Sequence, residues 1–131
     1  MESFNLYCLV GLGSALGGMG RFWVGNLVGR RVGEEFPWGT LLVNISGSLL
    51  IGFLFALTGP NGRWTLSPRI TLFLLTGICG GYTTFSAFSL QTLNLARLGA
   101  WWQAGANVAL SVVLCLAAVF LGYLAGMFSN R

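Results

Sequence analysis

Histidine, lysine and aspartate are absent from this chain of 131 residues, and three acids, Glu2, Glu34 and Glu35, stand against seven basic residues, all of them arginine. Those absences leave the usual metal ligands and general bases largely missing, which argues against a zinc-type cluster and against an acid–base active site. The arginines (Arg21, Arg30, Arg31, Arg63, Arg69, Arg97 and Arg131) are scattered one or two to a segment, which rules out a basic patch for nucleic acid. Cysteine is scarce too. Cys8, Cys79 and Cys115 fall inside apolar runs at uneven spacing, as small packing residues do, and no disulfide is expected. No basic stretch precedes the first apolar run and no small-residue cleavage site follows it, so that run reads as a first membrane helix and not as a removed signal.

What is abundant is apolar surface. Hydrophobic residues make up 55% of the chain, charged residues only 8%, and mean hydropathy is +0.77. Such a chain is an all-α integral membrane protein, and its length allows about four spans in one membrane domain, residues 1–131. The punctuation places them at about 4–29, 38–58, 67–95 and 101–128. Arg30-Arg31 closes the first, Pro37-Trp38 opens the second, and Gly59-Pro60-Asn61-Gly62 forms a turn. Ser67-Pro68 caps the third, and Trp101-Trp102 opens the fourth at an interface.

Three spans carry a stripe that a lipid-facing helix has no use for. Gly13, Gly17, Arg21, Gly25 and Gly29 recur every fourth residue, forming a ridge of bare backbone that should face protein. Arg21 within it either snorkels to the headgroups, lines an aqueous vestibule or caps carbonyls of a neighbouring helix end. Asn44, Ser48 and Gly52 repeat at i+4 in span two, and Asn107, Ser111 and Cys115 do so in span four. A carboxamide buried without partners costs a few kcal/mol, so these polar groups face protein, water or a ligand.

The most unusual stretch is Gly77-Ile78-Cys79-Gly80-Gly81-Tyr82-Thr83-Thr84-Phe85-Ser86-Ala87-Phe88, at the middle of span three. Adjacent glycines cost a helix roughly 1 kcal/mol each relative to alanine, and the threonine hydroxyls compete for backbone partners. The spacing therefore predicts a helix broken at its centre. At mid-membrane depth a break is tolerated only where protein or a polar cavity satisfies the freed groups, which points to an ion or substrate site; a kink for close packing is the plainer reading. Carbonyls released around Gly80 to Thr83 are hard, uncharged ligands for a small cation. Phe85 and Phe88, at i and i+3, can offer positive ring edges to an anion or simply pack. Thr83, Thr84, Ser86, Asn44, Asn107 and Ser111 supply hydroxyl and amide donors that replace hydration without trapping an ion.

Orientation is left open by the charges. Arg63, Arg69 and Arg131 lie on one side of a four-span chain and Arg30, Arg31 and Arg97 on the other, so the positive-inside rule has little to act on. Insertion both ways, with opposed copies pairing about an in-plane two-fold axis, would bring the central break against its own copy. A single orientation fixed by other features is the alternative.

The motif Gly77-x-x-Gly80-Gly81-x-Thr83-Thr84-Phe85-Ser86-x-Phe88, with Asn44-x-x-Gly47-Ser48 and the glycine run ending in Arg21-Phe22, resembles the Fluc-type (CrcB) fluoride channels of bacteria over essentially the whole chain. The resemblance implies an antiparallel, dual-topology homodimer in the inner membrane that exports fluoride passively through two pores and protects the cell. It implies that Phe85, Phe88 and Asn44 line the fluoride pathway, that Gly80 and Thr83 hold a structural sodium ion at the dimer interface through their carbonyls, and that Arg21 is the family's arginine. Ala87 departs from the threonine of many relatives. Partners expected on this basis are fluoride, membrane lipid and a second copy of the chain, with no nucleic acid and no enzymatic activity. A small multidrug exporter would need a membrane-embedded carboxylate, which the positions of Glu2, Glu34 and Glu35 do not supply; a non-transporting scaffold is the other rival.

Overall fold

The computed structural model describes residues 2–59 and 62–129, with the side chains of residues 2 and 3 left aside; Pro60, Asn61 and Arg131, on which part of the turn and charge readings rest, lie outside the described residues. Every regular element among the described residues is helical. Helix α1 is Glu2–Val32 and α2 is Trp38–Thr58. A run of pieces follows: α3 (Pro68–Leu72), a wider π-helical segment Phe73–Cys79, α4 (Gly80–Tyr82) and α5 (Phe85–Arg97), before α6 (Trp101–Ser129). Three runs, Trp38–Thr58, Pro68–Arg97 and Trp101–Ser129, are long and apolar enough to cross a membrane; α1 has the length, with 31 residues, but not the same apolarity.

The ends follow local chemistry. Helix α1 continues through Arg30-Arg31 and stops one residue after Arg31, at Val32, because Gly33 adopts φ +85 while its N–H closes on the Gly29 carbonyl at 3.0 Å. The terminator is thus the glycine and not the arginine pair. Ser67 caps α3, its hydroxyl accepting from the Ile70 N–H, with Pro68 in the first turn. Helix α5 ends on Gly99 at φ +79, and the Ala100 N–H reaches back to the Leu95 carbonyl at 2.9 Å.

Helix α2 packs along α6, and α1 packs along the π-helical segment and α4. Both pairings depend on missing side chains. A Cβ at Gly52 would collide with the Val119 carbonyl, and one at Gly122 with that of Leu49, so α2 and α6 approach backbone to backbone. Along α1, a Cβ at Gly13 would lie 2.8 Å from the Gly77 Cα, and one at Gly17 would meet the Ile78 carbonyl. Gly25 closes on Gly39 of α2. The ridge predicted from fourfold spacing therefore packs on protein at Gly13 and Gly17, while the Cβ side of Gly25 stays open.

Inside the twelve-residue motif the work is divided differently from the expectation. Gly80 is helical, at φ −65 and ψ −37, and Gly81 lies within α4. A Cβ on Gly81 would sit 2.6 Å from the Ser14 Cα, so its role is close packing. The extended residues are the threonines, Thr83 at φ −78, ψ 157 and Thr84 at φ −152, ψ 116, linking α4 to α5.

Candidate functional site

The Thr83–Thr84 link is held by α2. Asn44 lies opposite it and pairs with Thr84 twice: the Thr84 N–H donates to Asn44 Oδ1 at 2.8 Å, and Asn44 Nδ2 donates to the Thr84 carbonyl at 3.0 Å. The carboxamide thus supplies one donor and one acceptor to a stretch of backbone that has left its helix. Thr84 is buried, and its hydroxyl caps α5 by accepting from the Ala87 N–H at 3.2 Å. The Thr83 hydroxyl folds back to the Cys79 carbonyl at 3.0 Å, closing the end of α4.

The carbonyls of Gly80 and Thr83 are among those that lose their helical donors in this arrangement. The N–H four residues beyond Gly80 belongs to Thr84 and goes to Asn44; the one four residues beyond Thr83 belongs to Ala87 and goes to the Thr84 hydroxyl. Arg21 Nη1 donates to the Thr83 carbonyl at 3.4 Å, so this arginine caps a neighbouring helix end, one of the three roles its position allowed. A carbonyl has two acceptor directions, and the guanidinium uses one. Gly80 is exposed.

Beside the link runs a groove of about 370 Å³ whose walls include Asn44, Ser48, Thr84, Phe85, Phe88 and Ser111. No wall residue is charged. Phe85 and Phe88 stand with ring centroids 5.2 Å apart and planes tilted at 52°, within the range of a favourable aromatic pair. They differ sharply in exposure, 77% for Phe85 and 9% for Phe88, so one ring anchors in the fold and the other projects from it.

Of the sequence-predicted residues, Asn44, Thr83, Thr84, Phe85, Phe88 and Ser111 come together at the groove. Four do not: Arg21 and Gly80, placed above, and Ser86 and Asn107. Ser86 is exposed and its hydroxyl lies 3.3 Å from that of Thr84, outside the lining. Asn107 is 2% exposed and has no wall position; its amide donates to the Thr92 hydroxyl at 2.8 Å and its oxygen accepts from Ser111 at 3.5 Å. An i+4 stripe tells which side chains share a face, but α6 presents that face to α5 near Asn107 and to the groove only at Ser111 and Cys115.

Two contributors escaped the sequence reading. Tyr82 donates to the Ser46 hydroxyl at 3.0 Å, since the Ser46 proton is committed to the Leu42 and Val43 carbonyls, and its ring lies against Gly47 and Gly20. The Gly47-Ser48 pair held a signal for this, because a glycine in an apolar helix marks close approach. Thr92 joins α5 to Asn107, and its only sequence signal is the spacing of four from Phe88.

Residues 8–123 match the family described as CrcB-like protein, Camphor Resistance (CrcB). The chain is 54% identical over 125 residues to a fluoride-specific ion channel FluC of Methylocella silvestris, covering 95% of each. It is 53% identical over 126 residues to one of Opitutus terrae, covering 96% of each. A third, of Rhodospirillum rubrum, is 50% identical over 125 residues, 95% of this chain and 97% of its own.

Proposed function

The chain belongs to the CrcB-like family, and we propose that it is a fluoride-selective anion channel that exports fluoride passively across the bacterial inner membrane. The observation that carries the reading is the uncharged groove, whose lining brings hydroxyl, amide and aromatic side chains together without a buried cation to trap the ion. A small, strongly hydrated anion needs several such partial donors in sequence, each replacing part of its water shell. The relatives' shared name supplies the identity of the anion.

The finer architecture belongs to the same proposal. Helix α1 is the fourth span, since its 31 residues rise about 46 Å at 1.5 Å each and Arg21 finds a carbonyl partner on the way. The Thr83–Thr84 link is the break of the third span. Two copies in opposite orientations form the working unit, and the near-balance of arginines on the two sides supports this. The Gly80 and Thr83 carbonyls suit a sodium ion in chemistry: both are uncharged hard oxygens without a helical donor, and Gly80 is open to a neighbouring copy. A cation held there supplies fixed positive charge beside the anion path. This chain's own residues leave the two carbonyls without their helical donors, through the Asn44 clasp and the Thr84 cap.

Purified protein reconstituted into liposomes tests the reading. Fluoride efflux without a proton gradient and without matching chloride efflux is the expected result. Proton-coupled uptake of cationic drugs would make it an exporter, and no flux of either kind a scaffold.

A further inference from the structure

A chain of three side chains leads from the groove wall into the fold: the Ser111 hydroxyl to Asn107 Oδ1 at 3.5 Å, Asn107 Nδ2 to the Thr92 hydroxyl at 2.8 Å, and that hydroxyl to the Phe88 carbonyl at 2.8 Å. The carbonyl at its inner end can only accept, so the Thr92 proton points to Phe88. The Thr92 oxygen must then receive a proton, and only the nitrogen of the Asn107 amide has one to give. That sets the amide, turns Oδ1 toward Ser111 and draws the Ser111 proton away from the groove.

We propose that Thr92 is a positioning residue for conduction: acting through the Asn107 amide, it decides whether the Ser111 hydroxyl offers the groove its proton or its lone pairs. This rests on the fluoride-channel reading above. The Ser111 bond, at 3.5 Å, is the weakest of the three, so the hydroxyl can swing to donate a hydrogen bond to a passing anion at small cost and swing back. A donor lightly held elsewhere binds an anion more weakly than one permanently aimed at it, and an ion must leave as readily as it enters.

Replacing Thr92 with valine keeps the shape and removes the hydroxyl. Asn107 Nδ2 is then a buried N–H group without a partner, which proteins tolerate less well than an unpaired carbonyl, and the amide turns its nitrogen to Ser111. Ser111 now accepts from Asn107, and its proton faces the groove. Asn107→Leu removes the acceptor altogether and works in the same direction, so the test does not hang on one variant.

Fluoride flux from liposomes is measured as a function of fluoride concentration. Thr92→Val and Asn107→Leu should each lower the half-saturating concentration about ten-fold or more, as one hydrogen bond to an ion predicts, and lower the maximal flux with it. Thr92→Ser, which keeps the hydroxyl, restores both values. In a Ser111→Ala background Thr92→Val should produce no further shift. A purely structural role would reduce the active fraction and leave half-saturation in place; that result, or a shift that persists without Ser111, overturns the proposal. Absence of fluoride flux from the wild type removes instead the functional reading beneath it.

Discussion

At the scale of single residues, the two phenylalanines test the groove in different ways. Phe85 is largely exposed, so Phe85→Ile removes a ring edge without opening the fold. Fluoride flux should fall about three- to ten-fold while thermal unfolding in detergent stays put. Phe88 is buried, and Phe88→Ile should lower both flux and melting temperature. Unchanged flux in both variants would take the rings out of the pathway. Asn44 is a different case, because its amide is the partner of both Thr84 backbone groups. Asn44→Leu strands a buried N–H and a carbonyl together, and about 2 kcal/mol or more of stability should be lost, read from chemical unfolding of the purified protein. Asn44 was legible as a polar residue in lipid that must have a partner. That its partner is the backbone of residue 84 was not legible, because nothing in a helical stripe states which strand of chain will lie across from it.

At the scale of elements, apolar length and capping residues gave away the helical runs, and fourfold glycine spacing gave away the packing face of α1. The interior of Pro68–Arg97 was harder. Propensity puts the weak point at Gly80-Gly81, yet both stay helical, the bare backbone of Gly81 letting α4 lie on Ser14 of α1, while the β-branched threonines take extended angles that Asn44 and the Thr84 cap satisfy. The π-helical segment Phe73–Cys79 has no signature that periodicity exposes. Packing makes a sharp contrast within α1. Gly17→Ala places a methyl into the Ile78 carbonyl and should destabilise the protein by about 1–3 kcal/mol. Gly11→Ala meets nothing within 4 Å and should be neutral or gain up to about 1 kcal/mol from helix propensity. Equal melting temperatures for the two would show that α1 does not pack along the third run in this way.

At the scale of the whole molecule, a near-symmetrical charge distribution makes orientation easy to bias. Several lysines added to the loop at residues 33–37 should lock insertion one way, as read by accessibility of single cysteines from each side of the membrane. Activity should drop with it, recovering on co-expression with a variant biased the other way; full activity from a single-orientation population would exclude opposed pairing. The Asn44 clasp also has a consequence for the order in which the protein is made. The residue that stabilises extended backbone at 83 and 84 lies forty positions upstream on another helix, so the stretch that follows leaves the ribosome after its clamp. A peptide of residues 67–97 alone in micelles should run as uninterrupted helix by amide exchange, and only the addition of α2 should open it. That outcome would make the distortion a product of assembly, imposed late by a neighbour.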